Sequence, residues 1–242
     1  MKKTALKALV VAILSLSIFI GVEAPSEEAL FASANDKYCK LKAPTDHLPE
    51  RINELIAKTS LLYGCEKVKS LKKIEIYYDE TLPRAMAGGR ILKLRYDLET
   101  KPETEEVLIH EFAHIVDLGY FRGHSYSGKS EFRDGSVVIF NDDLSLEFYR
   151  ISWQDSKKLK EDASEFDFVS GYAMSDVFED FAESTLYYVK HNKEFRILAE
   201  NNPILQKKYD FIKENIFDGK IFESGKNYVS LDERFYDATK IM

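Results

Sequence analysis

The chain has 242 residues, 45% of them hydrophobic, and a formal net charge of −7. This length suits one domain or a small two-lobed enzyme, and the hydrophobic content is sufficient for a sizeable core. The negative charge argues against a nucleic-acid partner, because binding to nucleic acid requires a basic surface.

The first 34 residues predict a secretory signal peptide. Three lysines precede an uncharged apolar run at 8–20, and small residues occupy the −3 and −1 positions of cleavage sites after residues 24 and 34. This is the three-part layout of a signal peptide, and the run is short for a transmembrane span. We therefore expect residues 1–34 to be removed and the protein to be secreted, without stable membrane association. An uncleaved membrane anchor is the alternative.

Two cysteines, Cys39 and Cys65, lie beyond both cleavage sites. In an oxidising compartment they can form a disulfide between the start of the mature chain and the end of the first helix. Two buried free thiols are the alternative, because two cysteines alone fix no geometry.

Residues 35–242 are expected to form a single domain with an α+β fold, since helices alternate with a few strands. Hydrophobic periodicity and turn residues predict these elements. In chain order they are a helix at 48–62, a strand at 73–78, a loop at 82–89, a strand at 90–96, a helix at 103–118, a short apolar run at 137–140, a strand at 144–153, and helices at 176–192 and 204–217.

His110 and His114 are four residues apart on the predicted helix 103–118, with Glu111 next to His110. Residues at this spacing share one helical face, so both imidazoles can reach a single Zn²⁺. Glu111 then projects beside the metal, where it can act as a general base on water. This is the HExxH motif of zinc peptidases. The alternative is a pair of surface histidines on a helix.

A catalytic zinc ion needs a third protein ligand and an open position for water. The metzincin pattern requires glycine at position 117 and histidine at position 120, whereas this chain has Asp117 and Tyr120. His124 stands in a Gly/Ser-rich loop with nothing to orient it. Asp117 can either orient a ligand or solvate the helix end.

Glu179 is the best candidate for the third ligand, because it lies in the first turn of a strongly apolar helix that can pack against the HExxH helix. The alternative is a capping box, with Asp176 as N-cap and Glu179 at N3. Tyr172 precedes Glu179 by seven residues, and its hydroxyl can enter the same site. Glu183 can hold a histidine ligand or lie on a solvated helix face.

His-Glu-Phe-Ala-His at 110–114, followed by Tyr-x6-Glu-x2-Ala-Glu at 172–183, resembles the family of anthrax lethal factor and the secreted Pro-Pro endopeptidases. The resemblance covers about residues 73–190 and implies a zincin-like fold, with a small mixed sheet, an edge strand beside the HExxH helix and a helical C-terminal lobe. It implies one Zn²⁺ bound by His110, His114 and Glu179. It further implies that Glu111 activates water and that Tyr172 stabilises the transition state.

The stretch between His114 and Glu179 is longer than in those relatives, which indicates an insertion within residues 119–165. The resemblance also implies that an edge strand, here residues 90–96, pairs with an extended peptide substrate. Gly88 and Gly89 either let the substrate backbone approach closely or simply form a turn. A preference for proline near the cleaved bond is only what the resemblance implies.

The sequence thus predicts a secreted zinc-dependent endopeptidase whose partners are protein or peptide substrates. One alternative is a catalytically silent zinc-binding interaction or adhesion protein on the same fold. Another is a metal-dependent hydrolase of non-peptide amides.

Overall fold

The computed structural model describes Cys39 and residues 48–241. The predicted signal peptide and both cleavage sites lie outside these residues. The helices are α1 (Glu50–Tyr63), α2 (Thr104–Ile115), α3 (Leu146–Ser152), α4 (Val177–Lys190), α5 (Asn192–Asn201) and α6 (Pro203–Phe211). The strands are β1 (Lys73–Tyr77), β2 (Ala85–Gly88), β3 (Ile91–Arg95), β4 (Lys129–Asp134) and β5 (Val137–Phe140). The predicted α+β class is therefore confirmed.

The main sheet has three strands in the order β1-β3-β2. Strands β1 and β3 are parallel, whereas β2 and β3 are antiparallel, so the sheet is mixed as expected. The expectation that residues 90–96 form the edge strand is wrong, because β3 is central. The edge strand next to α2 is β2, in a segment predicted as a loop. Its Ala-Met-Ala-Gly sequence has little β-propensity, and the small side chains suit its position against a helix.

Helix α2 lies at the centre of the fold, where it packs against α1, β2 and α4. All but two of its residues are buried. It is therefore a core helix, and its HExxH motif lies in the interior. The chain continues past Ile115 in one wider π-helical turn, Val116–Tyr120, which ends two residues beyond the predicted helix end at 118.

The segment between the HExxH motif and Glu179 forms the β4–β5 hairpin and α3. A strand at 144–153 was predicted there, and the structure contradicts it. Leu146, Tyr149 and Trp153 are all buried, and their spacing of three and four residues is that of one helical face. Short apolar segments do not separate the two periods clearly, which explains the error. Helix α5, which the sequence did not predict, follows α4 after a break at His191.

Cys39 and Cys65 form a disulfide. Of the two alternatives, the disulfide is therefore confirmed and the pair of free thiols is wrong. It ties residue 39 to the chain two residues after α1. No helix in the described part of the chain is long and apolar enough to cross a membrane.

A buried ion pair joins α4 to α6. The Lys208 ammonium lies 2.7 Å from Asp180 Oδ2 and donates to the Asp167 carbonyl oxygen at 2.8 Å. Trp153 Nε1 donates to the same Asp180 oxygen at 2.9 Å. Both charged side chains are fully buried. Burial raises the pKa of Asp180 and lowers that of Lys208, so each charge depends on the other.

Replacing Lys208 by methionine should lower the free energy of unfolding by about 3–5 kcal/mol, because Asp180 is left as an uncompensated buried charge. Urea denaturation followed by circular dichroism measures this loss. The matched control is Lys207→Met, at the exposed neighbouring position on α6, which should change stability by less than about 0.5 kcal/mol. Equal stability of the two variants would contradict the importance of the pair.

Candidate metal centre

The two histidines of α2 meet the first turn of α4 inside the molecule. Glu179 Oε2 lies 3.0 Å from His110 Nε2 and 3.7 Å from His114 Nε2. One ligand atom from each of the three residues lies within 4.8 Å of the others. Ligand atoms around a tetrahedral zinc ion are about 3.3 Å apart, from bond lengths of about 2.0–2.1 Å. The cluster can therefore hold a metal ion.

Glu179 is free to face the histidines because another residue caps its helix. Asp176 Oδ1 accepts hydrogen bonds from the backbone N–H groups of Phe178 at 2.9 Å and Glu179 at 3.0 Å. Only one half of the capping box suggested by the sequence is therefore formed. Asp176 is the N-cap, while the Glu179 carboxylate lies against the imidazoles.

Glu183 orients His110 from the side away from the cluster. Its Oε1 lies 3.0 Å from His110 Nδ1, and its Oε2 accepts hydrogen bonds from Ser170 Oγ at 2.5 Å and from the Ala238 N–H at 2.8 Å. The carboxylate is fully buried. The prediction that Glu183 holds a histidine is therefore confirmed, and the solvated alternative is wrong.

The contact with Glu183 determines which ring nitrogen of His110 can bind a cation in the cluster. Because Nδ1–H donates to Glu183, the neutral ring carries its lone pair on Nε2. That lone pair faces a carboxylate oxygen of Glu179 at 3.0 Å. Two acceptors at this separation require a cation between them, either a proton or a metal ion. The donor set therefore fits a bound divalent cation.

The pKa values of His110 and Glu179 both shift in the direction that favours a positive charge between the two groups. Burial opposes protonation of His110, yet the hydrogen bonds to Glu179 and Glu183 raise its pKa well above the ordinary value. Burial acts to raise the pKa of Glu179, but the two imidazoles hold it well below its usual range.

Glu111 lies between the histidines and the edge strand. It is 7% exposed, and burial raises its pKa, while His110 and His114 act in the opposite direction. The nearby backbone N–H of Ala87 in β2 also acts to lower the pKa of this carboxyl. A carboxylate with a raised pKa accepts a proton more readily near neutral pH than an ordinary glutamate.

Tyr172 lies in a 3₁₀ turn just before α4, Tyr172–Met174. Its ring is stacked on His110, with 6.2 Å between centroids. Burial and then the nearby Glu179 carboxylate raise its pKa, so the hydroxyl keeps its proton at neutral pH and can donate it in a hydrogen bond.

The other two candidate ligands do not join the cluster. His124 is exposed, and its Nδ1 lies 2.8 Å from Asp142 Oδ2. Asp117 is 1% exposed and accepts hydrogen bonds from the Tyr149 hydroxyl at 2.6 and 2.7 Å. Burial raises the pKa of Asp117 to about 7. Of the two alternatives for Asp117, the solvated helix end is wrong because the carboxyl is buried. Its hydrogen-bond partner on α3 was not predicted.

The cluster opens into a cleft of about 620 Å³. Its lining includes residues of β2 with the preceding Arg84, and also Tyr172 and Phe178. A segment late in the chain, residues 236–240, completes the lining, with Tyr236, Asp237, Thr239 and Lys240. Neither this segment nor β2 was predicted to be part of the site, because neither carries a recognisable motif.

Gly89 explains how β2 comes so close to α2. It lies in the turn between β2 and β3, and a Cβ atom at this position would lie 2.2 Å from the Leu118 carbonyl oxygen. Gly119 approaches the same turn, since its Cβ would lie 2.6 Å from the Gly89 oxygen. The turn is confirmed at Gly89, whereas Gly88 is the last residue of β2. The close approach at Gly89 is made by the protein's own helix end.

No family model matches the chain, and neither a curated protein nor a solved structure matches it. The resemblance to the lethal factor family therefore stays a prediction. Function has to be inferred from the geometry of the site.

Replacing Glu179 by alanine should weaken zinc binding by more than about 100-fold, because even partners that only orient a ligand are worth about 10–100-fold. Competition with a chelating dye gives the affinity, and elemental analysis gives the metal content. His124→Ala is the matched control and should bind zinc like the wild type. If Glu179→Ala keeps full affinity, the third ligand has been wrongly assigned.

Proposed function

We propose that the protein is a zinc-dependent endopeptidase with a zincin-like fold, related to the lethal factor and Pro-Pro endopeptidase family. The main support is the cluster of the buried His110 and His114 with the half-buried Glu179, which lies beside Glu111 and opens into a cleft. Two imidazoles, one carboxylate and an open position are the ligand set of catalytic zinc sites in hydrolases. Zinc would supply Lewis acidity and lower the pKa of a water molecule at the open position.

Glu111 is the general base of the proposed reaction. Its carboxylate takes a proton from the attacking water and delivers it to the nitrogen of the leaving amine. Its burial supports both steps, because a raised pKa brings the acid and base forms closer in energy at neutral pH.

Tyr172 stabilises the oxyanion that develops on the substrate carbonyl. Its hydroxyl keeps its proton, and the ring is fixed by its contact with His110. A donor held in advance of the reaction needs no reorganisation when the charge forms. A protein that only binds zinc requires neither this hydroxyl nor Glu111.

The substrate is an extended peptide that adds to the free edge of β2. Within this strand Ala85 and Ala87 point their main-chain groups to the same side, since strand geometry repeats every two residues. The Arg84 carbonyl accepts from the Arg95 N–H of β3, so in this antiparallel pair the main-chain groups of Ala85 and Ala87 face away from β3. Both residues line the cleft. Strand addition uses main-chain hydrogen bonds for affinity and alternate side chains for selectivity. β2 replaces residues 90–96 in this role.

A secreted location is part of the proposal. The disulfide between Cys39 and Cys65 supports it, because disulfides persist mainly in oxidising compartments outside the cytosol.

The variant Glu111→Gln should fold and bind zinc but lose about 10²–10⁴-fold in peptidase rate, because the base is removed and the shape is kept. The assay is a peptide library read by mass spectrometry, with and without a chelator. Glu106→Gln, on the same helix but paired with Lys190, is the matched control. Full activity of Glu111→Gln, or library cleavage that a chelator leaves unchanged, would rule out this mechanism.

The variant Tyr172→Phe should bind zinc and substrate normally but lose about 10²–10³-fold in kcat, as expected for one lost oxyanion donor. Steady-state kinetics on a cleaved library peptide separate kcat from KM. Tyr126→Phe, at a position that is 83% exposed, serves as the control. Wild-type turnover in Tyr172→Phe would remove the hydroxyl from the mechanism.

A further inference from the structure

A segment that follows all the helices α1–α6 borders the candidate site. We call Phe235–Lys240 the strap. Its backbone pairs with the turn before α4, where Gly171 N–H donates to the Phe235 carbonyl at 2.9 Å and Tyr172 N–H donates to the Tyr236 carbonyl at 2.6 Å. The rings of Tyr172 and Tyr236 are also in contact, with 6.1 Å between centroids. The strap therefore holds the backbone of Tyr172 directly.

The strap also reaches the carboxylate that orients His110. The Ala238 N–H donates to Glu183 Oε2 at 2.8 Å, and Glu183 Oε1 contacts His110 Nδ1 at 3.0 Å. A fully buried carboxylate needs donors on both oxygens to stay in place. Oε2 has two donors, the Ser170 hydroxyl at 2.5 Å and the Ala238 N–H, and Ala238 is the one that supplies its donor from main chain.

On its other side the strap is joined to the substrate edge. Arg84 Nη2 donates to Asp237 Oδ2 at 2.7 Å and to Thr239 Oγ1 at 2.8 Å. Arg84 directly precedes β2, and its carbonyl oxygen accepts from the Arg95 N–H of β3 at 2.9 Å. The Asp237 side chain is only 12% exposed, which strengthens a charge-assisted hydrogen bond.

We propose that the strap is a positioning element of the proposed peptidase site, with two separable actions. Ala238 fixes Glu183 and thereby the orientation of His110 toward the metal. Asp237 fixes Arg84 and thereby the position of the substrate-binding edge β2 relative to the ligands. The inference rests on the proposed function, and neither residue touches the reacting atoms.

Ala238→Pro tests the first action, because it removes the N–H. Ala238 begins a 3₁₀ turn and follows Asp237 in an extended conformation, with φ −135° and ψ 115°. Proline is accommodated at such a position. Zinc affinity should fall about 10–100-fold, and the visible absorption of the Co²⁺-substituted protein should change. Ala238→Gly keeps the N–H and should match the wild type in both measurements.

An ester in place of the Ala238 amide removes the N–H without adding atoms, and decides the matter if Ala238→Pro does not fold. It should give the same loss of zinc affinity. The control is an ester at Phe235, whose side chain is 66% exposed and whose carbonyl remains intact. Unchanged zinc affinity and Co²⁺ spectrum in the Ala238 ester would overturn the first action.

Asp237→Asn tests the second action. It removes the closer of the two carboxylate charges at Arg84, with Glu103 still at 3.4 Å, and keeps an oxygen for the turn. KM for a library peptide should rise about tenfold, with zinc affinity and kcat unchanged. Asp210→Asn, at an exposed position on α6, should leave all three unchanged. A loss of zinc affinity or an unaltered KM in Asp237→Asn would overturn the second action.

Zinc binding and peptide cleavage by the wild-type protein distinguish a failure of the proposed function from a failure of the strap proposal. If it binds no zinc or cleaves no peptide, the proposed function fails. If it does both and the strap variants behave like their controls, the proposed function stands and the strap has no positioning role.

Discussion

His110 and Glu183 meet between α2 and α4, where the Glu183 side chain is fully buried and that of His110 is 7% exposed. A buried carboxylate without partners is destabilising by several kcal/mol, so the two helices can pack only in a way that keeps this hydrogen bond. Glu179 lies one turn before Glu183, and this packing places its carboxylate next to the other ring nitrogen of His110, Nε2. His114 lies one turn after His110 and reaches the same oxygen. Two pairs of residues at a spacing of four, one on each helix, thus create the centre when their faces meet.

The centre is the part of the protein that could be predicted from sequence, because its information is local. The spacing of His110, His114, Glu179 and Glu183 encodes which side chains share a helical face, and the structure brings all four together. Tyr172 lies in the same cleft. Periodicity also identified α2 and α4, since both helices have wide apolar faces.

The surroundings of the centre could not be predicted in this way, because they depend on partners distant in sequence. Strand β2 was read as a loop, since its four small residues gain their strand conformation by pairing with β3. The strap acts through the Ala238 N–H and the Tyr236 carbonyl, and main-chain groups are common to almost every sequence. The partner of Asp117 could not be predicted, because Tyr149 belongs to a helix predicted as a strand.

The contacts of Glu183 also affect the order in which the protein can fold. His110 is 73 residues from Glu183, and Ala238 is a further 55 residues along the chain. Closing loops of this length has an entropic cost that only the assembled core can offset. An oriented His110 is therefore a late product of folding, which local helix formation alone cannot supply. Tight metal capture would then mark a chain that has completed its tertiary structure, and a partly folded chain would present the HExxH helix without its organised ligands.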